Sequence, residues 1–109
     1  MSTSKLPTLA GHAYEYEVGD YHLHIAFEGD NRLHWTYLKA PDGQTGKNDL
    51  EHLEVLEPIR ENVLLMEWKE KSGVQVIDVL DLQNLIIYCS FVTPDGERSF
   101  FKAKVKRTK

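Results

Sequence analysis

The chain of 109 residues has one cysteine, no long apolar run and no stretch rich in proline, glycine and serine. Each absence removes a class of protein. A single cysteine, Cys89, cannot close an internal disulfide, which points to a reducing compartment, the cytosol. Because it lies in an apolar strand-like segment, it reads as a buried structural thiol and not as a nucleophile. The longest apolar run, Leu85 to Cys89, falls far short of the ~20 residues that span a bilayer, so no membrane helix is expected. The polar start Met-Ser-Thr-Ser-Lys leads into no apolar segment, so no secretory signal is expected either. Without an internal linker, the chain divides only into a short tail over residues 1–8 and one domain over residues 9–109.

Basic residues are also in deficit. Thirteen Lys and Arg stand against seventeen Asp and Glu, a net charge of -4, so no nucleic-acid partner is expected. They gather only near the end, where Lys102, Lys104 and Lys106 alternate with Phe101, Ala103 and Val105. That is the pattern of a last strand with one solvated face, whose lysines discourage pairing with another chain.

A clear helical period is missing, and alternation takes its place. Eight segments read as strands: Gly11 to Val18, Tyr21 to Glu28, Arg32 to Lys39, one within Lys47 to Glu57, Asn62 to Glu70, Val74 to Leu82, Leu85 to Thr93 and Arg98 to Lys106. In the second, Tyr21, Leu23, Ile25 and Phe27 share a face opposite His22, His24 and Ala26; in the third, Leu33, Trp35 and Tyr37 oppose His34, Thr36 and Leu38. The breaks are turn-like, among them Gly19-Asp20, Glu28-Gly29-Asp30-Asn31, Pro58 to Glu61, Gln83-Asn84 and Pro94-Asp95-Gly96. The fourth strand is ambiguous, because Leu50, Leu53 and Leu56 recur every three residues and suit a short helical turn equally well. The expected fold is all-β: an eight-stranded antiparallel meander closed into a barrel, with an interior just wide enough for one small ligand.

The segment Ala13-Tyr14-Glu15-Tyr16-Glu17, followed by Gly46-Lys47, by Trp68-Lys69-Glu70 and by a turn at Ser72-Gly73, resembles the phenolic acid decarboxylases and the related MoaF-like proteins. The similarity runs from about Leu9 to Phe91 through short motifs. Both families are lipocalin-like barrels of the calycin type, so the resemblance implies that fold. It also implies roles: Tyr14 and Tyr16 as a substrate-holding pair, Lys47 where the decarboxylases carry an arginine, and Glu70 as the acid/base group. Lys47 lacks the planar fork with which arginine grips an oxyanion. The chain also stops before the C-terminal extension of the decarboxylases, which implies a more open site.

Period two supports part of this independently. Tyr14 and Tyr16 share a strand face, and a phenol inside a barrel needs a hydrogen-bond partner. Leu64, Met66, Trp68 and Glu70 share another, which puts the acid at the end of an apolar stripe where its pKa would rise and suit it to proton donation. The resemblance, together with these shared faces, implies a site with Tyr14, Tyr16 and Glu70 as reacting groups and Lys47, Trp68 and Met66 binding the ligand, Lys47 by the resemblance alone. The alternative is that both tyrosines are ordinary barrel aromatics and Glu70 a solvated strand end.

His22, His24 and His34 fall on one face of a predicted hairpin, and imidazoles so placed are competent zinc ligands. An open two-stranded face without a carboxylate reads more readily as solvated, and His12 and His52 do not complete a set, so neither a metal nor a cofactor is expected. The leading function is binding of a small aromatic or carboxylated compound, with a decarboxylase-like lyase and a protein-interaction module with a filled core as alternatives. The resemblance and the number of aromatic residues also suggest a homodimer.

Overall fold

The computed structural model describes residues 7–29 and 31–109. Residues 1–6 of the expected tail, and Asp30 of the second turn, lie outside the described residues. The strands are β1 (Ala13–Val18), β2 (Tyr21–Glu28), β3 (Arg32–Lys39), β4 (Asn48–His52), β5 (Val55–Arg60), β6 (Val63–Lys69), β7 (Gln75–Asp81), β8 (Ile86–Val92), β9 (Arg98–Lys104) and β10 (Lys106–Arg107). All pair antiparallel, in two five-stranded sheets ordered β10-β1-β2-β3-β4 and β5-β6-β7-β8-β9. Among the described residues there is no helix, and hence none long and apolar enough to cross a membrane.

Ten strands appear where eight were expected because the fourth and eighth segments each break and pass from one sheet to the other. At the first corner, the Leu53 amide donates to Asn31 O in the β2–β3 turn, while the next amide, Glu54, donates to Glu67 O on β6, both at 2.8 Å. At the second, Val105 N donates to Leu85 O at 2.8 Å, beside β8, and the chain then pairs with β1 through Lys106 and Arg107. The hydrogen-bonded ladder is thus continuous within each sheet, and the chain itself turns the two corners. Pro58, expected in a break, lies within β5 opposite Leu64. Its missing N–H is tolerated there because β5 is an edge strand.

The alternation sets what is inside. Leu23, Ile25 and Phe27 of β2, Leu33 and Trp35 of β3, Leu64, Met66 and Trp68 of β6, Val76 and Leu80 of β7, and Ile87 and Cys89 of β8 are all buried in one core between the sheets. Lys102, Lys104 and Lys106 are exposed, whereas Phe101 and Ala103 pack on that core and Val105 is part of it. The turns are short and locally stabilised. Asp81 accepts from the amides of Gln83 and Asn84 at 3.0 Å each, bonds that hold its carboxyl below the usual carboxylate range. Gly73, at φ 91, closes the β6–β7 turn by donating to Glu70 O at 2.8 Å.

β4 departs from the pattern. Its inward residues are Asp49, half-buried, and Glu51, buried, while Leu50 points outward and is 42% exposed. The three-residue spacing of Leu50, Leu53 and Leu56 is therefore neither a helical stripe nor a strand face. Leu53 is buried at the corner and Leu56 packs on the core beyond it, because the bend resets the alternation by one residue.

Candidate functional site

A cavity of about 280 Å³ lies between the sheets. Tyr16 and Val18 of β1, Tyr21, Leu23 and Ile25 of β2, Trp35 and Tyr37 of β3, and Trp68 of β6 form most of its wall. Glu70, Val74, Phe91, Thr93, Ser99 and Phe101 complete it. These positions cluster at one end of the strands because the β1–β2, β6–β7 and β8–β9 turns all lie at that end. Half of the lining is aromatic. Trp35 and Tyr37 have ring centroids 4.8 Å apart with planes at 39°, and Tyr21 and Tyr37 5.0 Å apart at 60°, so successive rings form a curved wall and not a parallel stack.

Three of the expected site residues share this cavity: Tyr16, Trp68 and Glu70. Burial raises the Glu70 carboxyl above its ordinary value. Trp68 Nε1 donates to Glu70 Oε2 at a long 3.5 Å and, with Lys47, acts in the opposite direction, while Glu51 and Asp49 add to the rise. Tyr37, whose phenol is pushed up to about 12 mainly by burial, faces the same carboxyl.

The other three do not line the cavity. Tyr14 is buried on the same strand face as Tyr16, but one step of two residues, about 6.6 Å along a strand, carries it past the cavity end. There its ring meets Phe27 edge to face, with centroids 6.1 Å apart. Met66 is fully buried in the packed part of the core. Lys47 is exposed, close enough to Glu70 to favour its ionised form but outside the wall. The two tyrosines and Glu70 therefore do not converge on one space.

Two acids that the sequence reading passed over stand inside. Asp78, on β7, is completely buried, and neither carboxyl oxygen has a hydrogen-bond partner of ordinary geometry. The group that favours its ionisation is the Cys89 thiol, a weak donor, and it is outweighed by burial, which pushes the Asp78 pKa up to about 8. Tyr16, completing this trio, has its phenol pushed well up by burial and then by Asp78. Burial and Asp78 likewise raise the Cys89 thiol, which fits an inert structural cysteine. The signal was available: Asp78 falls in the alternation of Val74, Val76, Leu80 and Leu82. Glu51 is the second, accepting from Trp35 Nε1 at 2.8 Å. Its carboxyl is raised first of all by burial.

The histidines lie on the outer faces and go to separate partners. His22 Nε2 is 3.8 Å from Glu15, His24 Nε2 3.3 Å from the Thr108 hydroxyl and His34 Nε2 3.0 Å from Asn48 Oδ1. Among the described residues, no three His, Cys, Asp or Glu side chains are grouped as metal ligands.

Fold and cavity together define a two-sheet, all-β protein with an aromatic, ligand-sized interior. The MoaF-like family model matches residues 10–106, and the chain belongs to that family. No curated protein matches it in sequence. Among solved structures, it is similar to a Burkholderia vietnamiensis protein described as a candidate beta-lactamase, with a TM-score of 0.84 at 13% identity, covering 96% of this chain and 100% of the other. At that identity the likeness establishes the shared fold alone.

Proposed function

We propose that this MoaF-like protein is a small-molecule-binding container that holds one compact organic molecule between its sheets. The observation that carries the reading is the cavity of about 280 Å³, walled by aromatic rings with one carboxyl group in the wall. Ligand pockets typically run from ~300 to 1,000 Å³, so this one suits a compound built on a single ring. A packed interaction module would have no such space. In the same reading the two bent segments count as single strands, and the sheets form an eight-stranded, lipocalin-like barrel that opens at the end where Glu70 lies. The lone buried thiol suits the reducing cytosol.

Of the two ligand types expected from the sequence, the aromatic one is favoured over the carboxylated one, since no Lys, Arg or His among the described residues lines the cavity. A decarboxylase-like lyase is less favoured for the same reason and because Tyr14 stands away from Glu70. What remains of that reading is a carboxyl raised by burial that faces the Tyr37 phenol and shares the cavity with Tyr16. The test is a panel of single-ring compounds followed by tryptophan fluorescence, with Trp35 and Trp68 as reporters in the wall. At least one saturable quench, matched by an adduct in native mass spectrometry, is expected. No response from any compound would refute the container, and carbon dioxide release from hydroxycinnamates would restore the lyase.

A homodimer is part of the same proposal. Ile59 on β5 and Phe100 on β9, the two edges of one sheet, are 55% and 67% exposed and are the natural contact points.

A further inference from the structure

We propose that the cavity selects an organic monocation, an arylalkylammonium whose charged head sits against Glu70 and whose ring packs on Trp35, Tyr37 and Trp68. This rests on the reading of the cavity as a ligand site and names the class of ligand.

The polarity of the interior carries the argument. Among the described residues, Glu70 is the one carboxyl in the wall and no basic side chain lines the cavity. Its oxygens have acceptor capacity to spare, because among the described residues the hydrogen bond they receive is the long contact from Trp68. Beyond the wall the buried ionisable groups among the described residues supply no positive charge: Asp78 and Cys89, both kept protonated by burial, lie beside Tyr16, and Glu51 lies behind Trp35. The nearby lysines are on the outside, Lys47 exposed and Lys71 held 3.4 Å from Asp49. An anion placed in this space would meet the Glu70 carboxylate with no basic group among the described lining residues, and a neutral molecule would leave that carboxylate partly desolvated with only the exposed Lys47 nearby. A cation resolves both.

The rings supply the second half of the site. Aromatic faces carry negative potential and attract ammonium groups, indole most strongly. Here both indoles donate their N–H to a carboxyl, Trp35 to Glu51 at 2.8 Å and Trp68 to Glu70 at 3.5 Å. Negative charge at the ring edge reinforces the electron-rich face. The tilts of 39° and 60° along Trp35, Tyr37 and Tyr21 turn those rings into a concave surface, the arrangement that surrounds a cation on more than one side.

Three compounds of similar size separate the possibilities by calorimetry on the whole chain near neutral pH: 2-phenylethylammonium, 2-phenylethanol and 3-phenylpropanoate. The ammonium is expected to bind tightest, about ten-fold over the alcohol, the scale of one partly desolvated charge contact, with the carboxylate weakest. Glu70→Gln is expected to remove most of that preference, weakening the ammonium far more than the alcohol. If the alcohol or the carboxylate binds as tightly as the ammonium, the cation proposal fails and the container stands. If none of the three binds, and the wider aromatic panel also fails, both fall. The comparison of ligands on the unmodified protein decides the matter even if the variant does not fold.

Discussion

Asp78 offers the sharpest test of how the interior is built, through the substitution Asp78→Asn. The side chain is wholly buried, its oxygens have among the described residues no hydrogen-bond partner beyond the weak Cys89 thiol, and its pKa is raised from 3.8 to about 8. A carboxyl raised in this way keeps its proton in the native state at a pH where the unfolded chain has already lost it. Stability therefore falls as pH rises: the penalty is absent below about 3.8, grows through the interval, and levels off above about 8. At ~1.4 kcal/mol per pH unit, the interval from about pH 4.5 to 7.5 corresponds to roughly 4 kcal/mol. Asparagine keeps the shape and never ionises, but it buries an amide donor without a partner, a loss of about 1–3 kcal/mol at any pH.

The two effects cross. At about pH 4.5 the variant should be less stable than the native sequence, and at about pH 7.5 it should be equal or more stable by roughly 1–3 kcal/mol. Urea unfolding of both proteins at the two pH values measures this as a difference of differences, in which titrating groups that do not interact with Asp78 cancel. A stability difference that stays constant with pH would refute the reasoning. It would mean that Asp78 ionises in the folded protein as readily as in the unfolded chain.

The remaining predictions concern a turn and the assembly state. At Gly73, φ is 91 and an added Cβ would stand 2.8 Å from Pro94 Cγ, so Gly73→Ala should destabilise by roughly 2 kcal/mol. Gly29→Ala, with nothing within 4 Å of the added carbon, should change stability by no more than about 0.5 kcal/mol, and equal effects in thermal melts would contradict the strain argument. Sedimentation equilibrium should show a dimer that Phe100→Lys weakens, and a monomer at all concentrations would remove the homodimer from the proposal.

Much of the fold could be read from side-chain alternation, because a strand with one buried face must repeat every two residues. The second and third strands were legible to the residue, since Tyr21, Leu23, Ile25 and Phe27 and then Leu33, Trp35 and Tyr37 alternate without interruption. The corners were not. Leu53 and Glu54, like Val105, differ in no local propensity from their neighbours, and what bends the chain there is the need to serve two sheets at once. A bend that resets the alternation at Leu53 produces the same three-residue spacing as a helical turn, so sequence alone had no means of separating them.

The site was legible in its faces and hidden in its levels. Period two places Tyr14 and Tyr16 on one side of β1, yet a face is not a position along the strand, and about 6.6 Å of strand separates a cavity wall from packed core. Whether an interior is filled or hollow is likewise invisible to alternation, because it depends on side-chain volumes summed across both sheets. Asp78 marks the opposite case, a residue whose place in an apolar register was plain while its meaning was not. An acid at such a position is ordinarily balanced by a buried cation or by several donors. Among the described residues no Lys or Arg side chain lines the cavity, and the carboxyl groups in and behind its aromatic wall are those of Glu70, Glu51 and Asp78. Asp78 is instead relieved by keeping its proton, which leaves Glu70, in the cavity wall, as the carboxyl against which the proposed cation would sit.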